Sequence, residues 1–204
     1  MTSSGTPAGR RERAAATRAA ILSAAREAFS ERSYDDVGLR EVAGRAGVTA
    51  AMVNRYFGTK QELFREAVGT EDPTPPQLSS TPREEFGREL AALLVRGGHA
   101  PRPGGPDAAP HDPLVLLLRS AGSATARPVL REYVERSVVP PLTACFGADD
   151  DAARERAVLV LALLLGTDVL GRMLGVAPLD PASAAGSPAL ERVLAGVLQA
   201  AADS

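Results

Sequence analysis

The sequence predicts an all-α fold in two parts, a small helix-turn-helix domain of three helices followed by a larger helical domain. Three observations predict it. Apolar residues recur at i, i+3 and i+4 through most of the chain, as on one face of a helix, and they account for about nine helices. No stretch alternates with period two for long enough to build a sheet. The helical runs are parted by Gly/Pro-rich breaks, and Glu71-Asp72-Pro73-Thr74-Pro75-Pro76 is one that no helix can cross. That break puts a domain boundary at about residue 72, and the 204-residue length suits one small and one larger domain.

In chain order, MTSSGTPAG is small and polar and is expected to be disordered, with no apolar core for a signal peptide. Residues 1–14 are read as a disordered basic arm. Arg10, Arg11, Arg13 and Arg18 are candidates for a minor-groove contact beside a recognition helix. The plain alternative is a solvated helix start, and Glu12 argues for it. Ala14 to Arg32 is one uninterrupted helical run whose stripe is Ile21, Leu22, Ala25, Ala28 and Phe29.

Leu39 to Phe57, LREVAGRAGVTAAMVNRYF, reads as two short helices joined by a tight turn. Val42, Ala43 and Ala46 face one way on the first; Val53, Tyr56 and Phe57 form the apolar face of the second. Gly47 falls where the first helix must stop in a left-handed conformation, which any Cβ disfavours. Ala43 is small where two crossed helices come closest. Thr49 can cap the free N–H groups of the second helix. This is the helix-turn-helix arrangement, whose second helix enters the major groove of DNA. Next, Thr59-Lys60-Gln61-Glu62 fits a capping box that opens a further helix with Leu63, Phe64, Ala67 and Val68 inward.

The segment TRAAILSAAREAFSERSYDDVGLREVAGRAGVTAAMVNRYFGTKQELFREAV resembles the DNA-binding domain of TetR-family transcriptional regulators, most specifically in VTAAMVNRYFGTKQELF. Three positions depart from the family pattern. Ser33 stands where a glycine is usual, Gly38 where Ser or Thr usually caps, and Asn54 where a tyrosine is frequent. The resemblance implies a helix-turn-helix domain over residues 15–72 and a helical ligand-binding and dimerisation domain over 73–204. It also implies a repressor that leaves its operator when a small-molecule effector binds.

Beyond the boundary, a helix is expected from about Arg83 to Arg96, with Phe86, Leu90, Leu93 and Leu94 inward. Gly97 to Asp112 is Gly/Pro-rich and reads as a mobile loop. His99 and His111 lie in it without a carboxylate or cysteine at ligand spacing, so no metal is expected, and no cofactor. Pro113 to Ser123 is short and apolar. Ala126 to Phe146 reads as a helix that Pro140-Pro141 should kink. Cys145 is the only cysteine, so no disulfide closes within the chain, as suits the cytoplasm. Asp149-Asp150-Asp151 starts a long helix running to about Gly175, in which Asp168 and Arg172 stand four apart and can pair. They also interrupt its apolar run, so no membrane span is expected. The last helix should open at Ser187 as cap with Pro188 first in the helix, and Leu190, Val193, Leu194, Val197 and Leu198 as its stripe.

The formal net charge is only −2, which by itself does not suggest nucleic acid. The distribution does: residues 1–70 hold 11 Arg and Lys against 8 Asp and Glu, and the rest 12 against 17. The groove-facing candidates are Thr49, Ala50, Ala51, Asn54 and Arg55. Arginine pairs with guanine, asparagine with adenine, and alanine touches the thymine methyl. Tyr56, Lys60 and Arg40 are candidates for holding phosphates, which position without reading sequence. Lys60 is the only lysine and stands at a helix start, where free N–H groups already favour an anion. The helices at 151–175 and 187–203 carry more apolar surface than a small domain covers alone, which predicts a homodimer matched to a palindromic duplex. Candidates for holding the effector are Leu116, Arg119, Tyr133, Phe146, Asp168 and Met173, which mix apolar walls with polar groups. One rival is a constitutive DNA binder without an effector. The other is an enzyme with an accessory helix-turn-helix, for which no nucleophile–base pair, ligand cluster or phosphate loop speaks.

Overall fold

The computed structural model describes residues 7–69, 81–95, 113–147, 150–180 and 188–203. Among these residues there are ten α-helices and no strand, so the fold is all-α. They are α1 (Pro7–Glu31), α2 (Leu39–Arg45), α3 (Ala50–Phe57), α4 (Lys60–Val68), α5 (Phe86–Val95), α6 (Pro113–Ser120), α7 (Arg127–Tyr133), α8 (Val139–Ala144), α9 (Asp151–Asp168) and α10 (Pro188–Asp203). No helix among the described residues is long and apolar enough to cross a membrane. The contacts divide the chain into two compact units. In one, the described residues up to 69 pack with 113–131; in the other, 81–95 pack with those from 132 onward.

In the first unit α1 packs against α2, α4 and α6. Ile21, Ala25, Ala28 and Phe29 of its stripe are wholly buried, and Leu22 is half-buried at the edge. Phe29 meets Phe64 edge-on (centroids 4.9 Å, 82°), and Tyr34, on a short 3-10 turn (Tyr34–Asp36), meets Phe64 likewise (5.0 Å, 70°). Such rings dominate the energetics of so small a core, where truncating one to alanine costs about 3–5 kcal/mol. Ser33 takes φ −59° and ψ 152°, a backbone open to any residue, which explains why no glycine is needed there. Gly38 does stand as an N-cap with no side-chain hydrogen bond to offer.

The first helix begins at Pro7, not at Ala14. Proline suits the first helical position, and the Arg, Glu and Ala that follow are strong helix formers. Arg10, Arg11 and Arg13 are therefore exposed on a solvated helix start, the plain alternative, rather than on a disordered arm. Arg18 bonds to Glu66 of α4 and lies over the Phe57 ring, 4.9 Å from its centroid, which ties it into the unit.

In the second unit Phe86 and Phe146 meet edge-on (5.1 Å, 65°). α5 crosses α10 where Gly87 has no side chain, and a Cβ there would stand 2.6 Å from the backbone nitrogen of Gln199. Gln199 seals the crossing: its Oε1 accepts from the Gly87 N–H (2.9 Å) and its Nε2 donates to the Arg83 carbonyl (2.9 Å). Leu93 and Leu94, expected inward, are half-buried. Asp150 caps α9 by accepting from the Ala153 N–H (2.7 Å).

The helix expected over 126–146 is divided. Between α7 and α8 the chain widens into a π turn (Val134–Val138), just before Pro140 and Pro141. Those rings crowd the carbonyls four residues back and lack N–H groups of their own, and the wider turn relieves both. The helix expected to reach 175 ends at Asp168 and continues as a second π turn (Val169–Met173). The loop at 97–112 with His99 and His111, the Ser187 cap and the Arg172 side chain that would pair with Asp168 lie outside the described residues.

Candidate nucleic-acid interface

The turn between α2 and α3 is set by backbone chemistry. Gly47 takes φ +65°. Its N–H donates to the Gly44 carbonyl (3.2 Å) and the Val48 N–H to the Ala43 carbonyl (2.9 Å), satisfying two carbonyls the helix end would leave bare. Ala43 is buried, as the close crossing requires. Thr49 Oγ1 then accepts from the Met52 N–H (3.3 Å) and caps α3.

Val53 and Phe57 bury the inner face of α3. Helical geometry therefore turns Ala51, Asn54 and Arg55 outward, whereas Ala50, three residues before Val53, shares the inner stripe at the helix start. Thr49, Ala51, Asn54 and Arg55 are exposed, and Ala50 and Tyr56 are half-buried. The Arg55 guanidinium lies over the Tyr56 ring, 5.4 Å from its centroid, a weak cation–π contact at an exposed site. Arg40 is exposed near the start of α2.

The end of α3 is locked to the start of α4. Gly58 takes φ +75° and its N–H donates to the Asn54 carbonyl (2.8 Å). Thr59 Oγ1 accepts from the Glu62 N–H (3.1 Å), and Glu62 Oε2 accepts from the Thr59 N–H (2.8 Å) and hydroxyl (2.9 Å), completing the expected capping box. These bonds, the Thr59 N–H first, hold the Glu62 carboxyl below its usual range.

Lys60 sits where the sequence puts a phosphate ligand, but its ammonium lies 4.2 Å from the centroid of the Tyr34 ring. Burial pushes its pKa down, and the carboxylates of Asp35 and Asp36 push it back up.

Residues outside the groove face hold it in place, and of these the sequence singled out only Arg18, for a different role. Arg45 on α2 bonds Glu31 of α1 (2.6 Å) and Glu41 (3.0 Å), with Glu27 at 3.7 Å. The Arg45 hydrogen bond holds the Glu31 carboxyl below its usual range. The i, i+4 spacing of Glu41 and Arg45 was a readable signal. The reach from Arg18 to Phe57 and Glu66 was not, because it depends on how α1 lies across α3 and α4.

The six effector candidates are spread over both units. Leu116 (buried) and Arg119 (exposed) lie on α6 in the first. Tyr133, Phe146 and Asp168 are buried in the second, and Met173 is exposed on its π turn.

Two family descriptions match the chain: "Bacterial regulatory proteins, tetR family" over residues 21–67, and "Tetracyclin repressor-like, C-terminal domain" over residues 84–201. An HTH-type transcriptional repressor of Mycobacterium tuberculosis is 34% identical over 100 residues, which take in 45% of this chain and 51% of that protein. An HTH-type transcriptional regulator of Mycobacterium bovis matches to the same extent. The chain thus spans about half the length of the curated relatives it matches. Among solved structures, NalD of Pseudomonas aeruginosa, the secondary repressor of the MexAB-OprM multidrug efflux pump, superposes with a TM-score of 0.55 at 23% identity, over 90% of this chain and 95% of that one. At that identity the likeness shows the fold alone.

Proposed function

Because the chain belongs to the TetR family of bacterial regulatory proteins, we propose that it is a cytoplasmic transcriptional repressor that grips a near-palindromic operator as a homodimer. The observation that carries this reading is α3 itself: a capped helix, anchored by Val53 and Phe57, with Thr49, Ala51, Asn54 and Arg55 facing solvent. Asn54 and Arg55 read base edges, the small exposed Thr49 and Ala51 let the helix approach the groove, and Tyr56, Lys60 and Arg40 hold phosphates.

Residues 15–72 serve DNA binding, and 73–204 serve dimerisation and an effector. Exposed Val158 and Leu159 on α9 and Val193 and Val197 on α10 supply an apolar face for a second copy. The effector is an apolar or amphipathic small molecule held in the second unit, where Tyr133, Phe146 and Asp168 are the buried candidates. It releases DNA only if it binds more tightly to the conformation that does not fit the operator. The test is a screen of apolar compounds for thermal stabilisation, followed by operator binding with each hit. Hits that stabilise the protein and weaken operator binding support the reading; hits that stabilise it and leave operator affinity unchanged refute the coupling.

A further inference from the structure

Lys60 is the one lysine in the chain, it opens α4, and it is held by its own domain. Its ammonium rests on the face of Tyr34, a residue only 5% exposed, and the exposed carboxylates of Asp35 and Asp36 favour its charge. An aromatic face with two nearby carboxylates offers a cation what a phosphate offers it, negative potential.

The turn that carries these groups is itself fixed. The Tyr34 N–H donates to Ser120 Oγ (3.1 Å), and Ser123 Oγ donates to Asp35 Oδ1 (2.9 Å) while accepting from the Ala126 N–H (3.1 Å). Both serines are buried; the Tyr34 bond is shielded from competing water, and the part-buried Asp35 bond ties down the turn's open side. The turn cannot simply drift away when DNA approaches.

We propose that the Tyr34–Asp35–Asp36 turn is an internal competitor for Lys60, an autoinhibitory contact that a DNA phosphate must displace before Lys60 can grip it. The proposal rests on the DNA-binding reading above. It makes the acidic turn, which touches no base, a determinant of sequence-independent affinity. It also makes the end of α6 and the turn after it relevant to DNA binding, because Ser120 and Ser123 hold the competitor in position.

The experiment uses the full chain labelled with 13C-lysine, which gives a single lysine spin system, and a random-sequence duplex of about 20 base pairs at low salt, since phosphate contacts ignore sequence. In the free protein the Lys60 ε-methylene protons should be shifted upfield by the Tyr34 ring, and saturating duplex should abolish that shift. Asp36→Asn, an exposed change that leaves the Ser123 bond intact, should tighten duplex binding about two- to fivefold and do so only when Lys60 is present. Two results overturn the inference: an upfield shift that persists in the complex, or equal tightening by Asp36→Asn in the native and Lys60→Ala proteins, which would mean a general field effect. Failure of the native protein to hold any duplex overturns the DNA-binding reading instead, and leaves the free-state shift as a direct test of the contact itself.

Discussion

The Glu62 carboxylate occupies the space that a side chain on Gly58 would need. It is there because it accepts from the Thr59 N–H and hydroxyl, and Gly58 takes φ +75° because α3 ends and α4 begins within two residues. The end of the recognition helix is thus built from a glycine and a capping box that depend on each other.

Gly58→Ala should therefore cost more than its size suggests. It forces a Cβ into a left-handed conformation and displaces the Glu62 carboxylate, so a loss of about 1–3 kcal/mol is expected. Urea unfolding at neutral pH measures it. A loss below the error of the measurement would mean that the joint between α3 and α4 does not depend on this arrangement.

Affinity and specificity should separate along the interface. Lys60→Ala should weaken binding to all duplexes alike and reduce the slope of log K against log salt by about one ion. Arg55→Ala or Asn54→Ala should cost about 1–3 kcal/mol on the true site and relax preference at one base pair. Titrations over a salt series on matched and mismatched duplexes distinguish the two behaviours.

Acid should loosen the DNA-binding unit. Glu31 and Glu62 have carboxyls held below their usual value of 4.5 by Arg45 and by Thr59. A depressed folded-state pKa gives a contribution that is present above the unfolded value and is lost as pH falls through the folded one. The urea midpoint should fall as pH drops below about 4.5, and Glu31→Gln should flatten part of that fall. An unchanged profile in the variant would show that the Arg45 network does not couple to folding.

Gly87→Ala should damage the second unit. The new Cβ would meet the α10 backbone at Gln199, which cannot yield as a side-chain tip can, and overpacking of this kind costs about 1–3 kcal/mol. A variant with native stability would show that α5 and α10 separate easily.

The exposed valines of α10 should seat a second copy. Sedimentation of the full chain at micromolar concentration should show a dimer, and Val193→Asp with Val197→Asp should give a monomer that binds DNA weakly. A native protein that sediments as a monomer contradicts the dimer.

The DNA-binding half was legible because its determinants are local. Gly47, Thr49 and the Thr59–Glu62 pair act on backbone groups within a few residues of themselves, so spacing alone reveals them. The stripe of α1 was legible for the same reason, although its start was not, since the arginines that suggested an extended arm are also good helix formers. Gly87, Arg18 and the Tyr34 contact of Lys60 were not legible, because each depends on which distant helix lies opposite. The π turn before Pro140 was half legible: two prolines announce a disturbance, but whether the helix kinks or widens is settled by packing.

Whether α3 reads a two-fold DNA site is decided by selecting genomic fragments with the purified full chain and repeating the selection with Arg55→Ala. The native protein should enrich fragments sharing a near-palindrome whose half-sites are centred about 34–36 Å apart or a longer whole-turn multiple, and Arg55→Ala should blur one position in each half. Recovery of fragments with no common sequence, or an identical motif from the variant, would contradict that reading.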